Sequence, residues 1–138
     1  MVVPSPAREP TFLPLTVAAA EQAARLAGED PAALALSRRA EAADSAAAGC
    51  WLALVAGCDS GRQAVLDAVR ALTEEASGRA GDLCGSVPRR RLAEAELRVD
   101  EAVREADGAE FAEALADYDQ AAATVVVHVS NRLGNLSR

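Results

Sequence analysis

A chain of 138 residues fits a single domain and can bury roughly two-thirds of its unfolded surface around one core. Its net charge of −7 and pI near 4.7 oppose nonspecific attachment to DNA, RNA or anionic membranes, so neither nucleic acid nor membrane is an expected partner. Hydrophobic residues make up 51% of the chain, but Ala supplies about half of that share and aromatics only 3%, so small side chains on closely approaching helices must fill the core. All 14 basic residues are Arg, and Lys and Ile are absent, a bias expected of a GC-rich genome.

The first 13 residues, broken by Pro4, Pro6 and Pro10, are expected to form a flexible arm, with the helical domain over 14–138. Arg8 and Glu9 stand where a secretory signal needs an apolar run. Together with an odd count of 3 Cys, this predicts reduced thiols and a cytoplasmic protein. A first helix is predicted from Pro14 to about Gly28. Asp30-Pro31 restarts the chain as an N-cap followed by Pro at the first helical position, and the second helix runs to about Gly57. Within it the longest nearly charge-free run, 45–58, is shorter than the roughly 20 residues that cross a bilayer. Helical phase puts Ala47, Trp51, Leu54, Val55 and Cys58 near one face, with Cys50 at its margin, so Trp51 is expected as a core anchor.

Ser60-Gly61-Arg62-Gln63 has capping-box spacing and is predicted to open a third helix over 61–77. Gly78 to Pro88 reads as the main loop. A fourth helix follows to about Ala106, then Asp107 to Glu110 as a stop and a second capping box, and a fifth helix over 109–133 with Gly134-Asn135 as its C-cap. Apolar stripes recur at helical spacing: Val65, Val69, Leu72 and Ala76, then Leu92, Ala95, Val99, Ala102, Val103 and Ala106, then Phe111, Leu115, Tyr118, Ala122, Val125 and Val129. Glu94–Arg98 and Asp100–Arg104 have the i,i+4 spacing of surface ion pairs. The fold class predicted is all-α, a single-domain bundle of about five helices, mostly antiparallel because the connections are short.

Phe111, Ala114, Tyr118 and Ala121 form a pattern that resembles the second helix of a tetratricopeptide repeat. The preceding helix lacks the matching Leu-Gly signature and no second copy follows at the repeat period, so the pattern is read as helix packing.

The single His removes most metal and acid–base schemes. No C-x-x-C pair occurs, Cys50 and Cys58 are separated by about 12 Å of helical rise, and Val125 stands where a di-iron motif would place Glu before His128. The stretch 78–86 lacks the Gly-Lys ending of a phosphate loop. No metal and no cofactor is therefore expected. Two weak catalytic candidates remain. Cys84 lies in a Gly-rich loop near Arg79, Arg89 and Arg90, which would lower a thiol pKa. His128, near the end of a long helix with basic and polar residues following, is placed as in helical-bundle phosphotransfer proteins, although no acidic residue adjoins it. Arg89, Arg90 and Arg91 oppose the dipole at the start of their own helix and are expected to pair with an acidic face of another helix or subunit. With Trp51 they form the candidate ligand or partner surface. The function expected is a non-catalytic helical interaction or regulatory module that contacts itself or a partner protein. The alternatives are His-dependent phosphotransfer, and a small-molecule binder with an apolar cavity lined by Trp51, Leu54, Phe111 and Tyr118.

Overall fold

The computed structural model describes residues 10–28, 30–58, 60–80 and 86–136. They form helices α1 (Pro14–Leu26), α2 (Pro31–Val55), α3 (Arg62–Ala80), α4 (Ser86–Arg104) and α5 (Gly108–Leu136), with no strand among the described residues. Each helix packs on the next, α5 returns to α1, and α5 also touches α2 and α3. The result is a closed ring in which α5 meets every other helix. Direction follows from the contacts. Thr16 meets Asp119 while Ala23 shares a small cavity with Val126 and Val129, so α1 runs parallel to α5. Val69 meets Tyr118 while Ala76 lines the cavity with Val126 and Val129, so α3 runs the same way; Arg98 meets Glu110 while Arg91 shares a groove with Thr124, so α4 runs antiparallel to α5. Helices α1, α3 and α5 thus point one way, with α2 and α4 opposed. No helix among the described residues is long and apolar enough to cross a membrane.

Local chemistry sets the boundaries. The Asp30 carboxylate accepts the N–H groups of Ala32 and Ala33, and Pro31 fills a first-turn position that needs no donor. Gly57 ends α2 with φ +72°, while the Cys58 N–H donates to the Ala53 carbonyl at 2.7 Å. Helix α4 ends in the same way, with the Asp107 N–H on the Ala102 carbonyl at 3.1 Å, but here the left-handed residue is Ala106, φ +56°. Asp107 then caps α5, its Oδ1 accepting the Glu110 N–H at 3.0 Å.

Several sequence expectations are corrected. The Ser60 box does not close: the Ser60 hydroxyl bonds the Cys58 thiol, Gln63 donates to Asp67, and α3 starts one residue later, after Gly61. Ser86 to Pro88 belong to the first turn of α4, and α5 continues through Gly134-Asn135 to Leu136. The arm expected over 1–13 is anchored in its last residues, because Leu13 is fully buried and Thr11, Phe12 and Leu13 donate N–H groups to Asp44. Residues 1–9 lie outside the described residues. Ala106 is exposed at a helix end rather than in the core stripe.

The core uses the remaining stripe positions as expected, with Val65, Val69, Leu72, Leu92, Val99, Phe111, Leu115, Tyr118 and Val125 at 0% exposure. Each such side chain contributes about 1.5–3 kcal/mol by leaving water. Tyr118 keeps its hydroxyl satisfied in the interior by donating to the Val69 carbonyl at 3.2 Å and sharing a 2.8 Å hydrogen bond with Thr73. On α2 the buried phase is Ala40, Ala43, Ala47 and Cys50. Small residues there let α2 approach its neighbours closely. Of the face expected from the sequence, Ala47 is buried and Trp51 and Leu54 pack half-buried against the core, while Val55 and Cys58 are exposed.

The N-terminus of α1 has no side-chain cap of its own. Two buried carboxylates from other helices supply the acceptors. Asp44 of α2 receives the Thr11, Phe12 and Leu13 N–H groups at 3.1, 2.8 and 2.9 Å, and Asp119 of α5 receives those of Leu15 and Thr16 at 3.1 and 2.8 Å. Neither position was singled out from the sequence.

Candidate functional site

Helix α5 buries most of its circumference and leaves a narrow outward strip containing Asp117, Gln120, Thr124, Val127 and His128. An open groove lies on each side of it. Between α4 and α5 the groove holds about 380 Å³ and is lined by residues including Val87, Pro88, Arg91, Ala95, Ala121 and Thr124. Between α1 and α5 a wider groove of about 610 Å³ is lined by Leu15, Ala19, Gln120, Ala123, Thr124, Val127 and His128. Gln120 and Thr124 line both, so the two grooves share one ridge. Leu15, Val87 and Val127 stand 45–52% exposed along them.

The groove walls are fixed by α4 and α5 side chains. Arg98 donates to Glu110 at 2.8 Å and to Asp117, tying α4 to α5 across the groove. Those hydrogen bonds, Glu110 first, hold its guanidinium firmly charged. Neither i,i+4 pair expected on α4 forms. Arg98 crosses to α5 instead of meeting Glu94, and Asp100 and Arg104 make no ion pair among the described residues. The Thr124 hydroxyl donates to the Gln120 carbonyl of its own helix at 2.8 Å. Among the described residues the groove surface offers shape, methyl groups, the Arg98–Asp117 pair and the single charges of Arg91 and Glu94.

His128 is exposed on the rim of the α1/α5 groove, and no hydrogen bond joins it to another described residue. Arg91 lines the α4/α5 groove; Arg90 is exposed beside it and Arg89 is half-buried. Arg90 and Arg91 make no ion pair among the described residues, so the intramolecular pairing expected of them is absent there. Cys84 lies outside the described residues. Trp51 belongs to the opposite end of the bundle, where its ring sits 6.0 Å from that of Phe12 and over Gly108. The structure thus brings Arg91 and His128 onto adjoining grooves and separates Trp51 from both. Neither groove includes Trp51, Leu54, Phe111 or Tyr118. A small recess near Leu36 and Val126 measures only about 10 Å³.

No family model, curated protein or solved structure matches this chain. Among the described residues no group of three or more His, Cys, Asp or Glu side chains is arranged to hold a metal ion. Cys50 is buried, and burial pushes its thiol pKa up against the opposing pull of the Arg62 guanidinium, which makes it a poor nucleophile.

Proposed function

We propose that this chain is a non-catalytic helical interaction module of the cytoplasm, acting on proteins through the outward surface that α5 shares with α4 and α1. The observation that carries this reading is the pair of open grooves joined over Gln120 and Thr124 and edged by exposed Leu15, Val87 and Val127. Grooves of this kind receive a helix whose apolar residues recur every three or four positions. The methyl groups of Ala95, Ala121 and Ala123 allow close approach, and Arg91 and Glu94 at the margin favour a partner with complementary charges.

The test is a pull-down from lysate, combined with light scattering on the full chain, comparing the natural sequence with Thr124→Arg. Thr124 is exposed, so the substitution fills the ridge between the grooves without entering the core. A partner or assembly lost in the variant supports the reading. A monomer whose retrieved proteins are the same with and without Thr124→Arg overturns it. The phosphotransfer reading is favoured only by the exposure of His128. It requires an acid-labile phosphate that disappears in His128→Gln.

A further inference from the structure

We infer that the partner of the α4 wall is α4 of a second copy of this chain, packed antiparallel across a two-fold axis. This rests on the interaction-module reading and names its partner. Val87, Arg90, Glu94, Leu97, Glu101 and Arg104 recur at three- and four-residue spacing along the outward side of α4, and all six are exposed. Leu97 is 59% exposed and Val87 47%. None of the charged members makes a hydrogen bond or ion pair with a described residue. The helix therefore carries a row of uncommitted charges around an exposed leucine.

The order of those charges is the second observation. Arg89, Arg90 and Arg91 occupy the start of α4, while Asp100 and Glu101 lie in its last turns and Glu105 just beyond. At the start of the helix that is the reverse of what the dipole favours, while Arg104 leaves the last turn mixed in sign. An antiparallel copy removes the conflict. With the two-fold axis passing at the level between Ala95 and Glu96, Arg90 of each copy stands opposite Glu101 of the other, and Glu94 opposite Leu97. The two Leu97 side chains then lie about 4.5 Å apart along the helix direction, at the centre of the contact. A parallel pairing sets Arg against Arg and acid against acid. The antiparallel arrangement is isologous, so it closes at two copies, and both helix dipoles and both charge gradients oppose favourably. Because the contact is narrow and its charges lie at the surface, association is weak and sensitive to salt.

The experiment is sedimentation velocity on the full chain over a range of concentrations at low and high salt, with circular dichroism to confirm folding. The natural chain is expected to double its mass with rising concentration at low salt and to return to monomer at high salt. Arg90→Glu alone and Glu101→Arg alone are each expected to weaken self-association at least tenfold, by setting like charges opposite each other. An equimolar mixture of the two variants is expected to recover a dimer, since at both positions an acid on one variant then faces an arginine on the other. A natural chain that stays monomeric at low salt overturns the inference, as does a dimer indifferent to both substitutions. A monomer that still retrieves a protein in a manner abolished by Thr124→Arg overturns the self-pairing alone and leaves the interaction module standing.

Discussion

Asp119 holds Thr16 twice: its Oδ1 accepts the Thr16 backbone N–H at 2.8 Å and the Thr16 hydroxyl at 2.7 Å. With Leu15 donating to Oδ2, one buried carboxylate on α5 serves as the N-cap of α1. Asp119→Ala leaves those donors unsatisfied in the interior and is expected to cost about 2–4 kcal/mol, read as a lower urea midpoint. Thr16→Val added to it is expected to cost less than it does alone, because the two groups share one interaction.

Two aromatics that each meet the Phe12 ring differ in burial. Phe111 is fully buried and Trp51 is half-buried against Phe12 and Gly108. Phe111→Ala is expected to cost about 3–5 kcal/mol and Trp51→Ala about 1.5–3 kcal/mol in thermal or denaturant unfolding. Equal costs would contradict the half-burial of Trp51.

Alkaline pH should weaken the fold. Burial raises the pKa values of Cys50 and Tyr118, the latter to well above its ordinary range despite the Thr73 hydrogen bond. In the unfolded chain these groups ionise near pH 8.5 and about 10, earlier than in the folded state. The unfolded state then binds fewer protons, and stability falls as pH rises. The contribution is fully present below about pH 8 and declines above it by at most about 1.4 kcal/mol per pH unit for each group. Tyr118→Phe is expected to flatten the decline above pH 10, and Cys50→Ala the part that begins near pH 8.5, in urea titrations at fixed pH.

Ala106 reverses the usual rule for glycine. It holds φ +56° at the end of α4, where a Cβ is strained, and it is exposed. Ala106→Gly is expected to raise stability by about 0.5–1 kcal/mol, the relief of strain exceeding the greater flexibility of the unfolded chain. A loss of stability in thermal unfolding would contradict this.

The stripes on α3, α4 and α5 were legible because Val, Leu, Phe and Tyr there contrast sharply with Glu and Arg on the opposite side. On α2 that contrast fails. Ala occupies so many positions that apolar phase alone admits two faces, and the bulk of Trp51 points to the less buried one. Close approach between helices favours the Ala40–Ala47–Cys50 face instead, where small side chains cost least space. Asp44 and Asp119 carry a signal that apolar spacing does not weigh. Each is an acid at a core-stripe position, Asp44 between Ala40 and Ala47 and Asp119 between Leu115 and Ala122. A carboxylate in such a place needs donors, and the nearest unsatisfied set is the start of α1. The grooves beside α5 were not legible, since they depend on how far apart the ring sets three helices.

The borrowed caps of α1 also order events during synthesis. Thr16 emerges from the ribosome 103 residues before Asp119, the side chain that completes its hydrogen bonding. At 5–20 residues per second, α1 waits roughly 5–20 s for that acceptor. Helix α1, made before α2 to α5, is therefore among the last of the five to be secured, and a nascent chain stopped short of α5 would expose the first turn of α1 to proteases long after α2 and α3 had been translated.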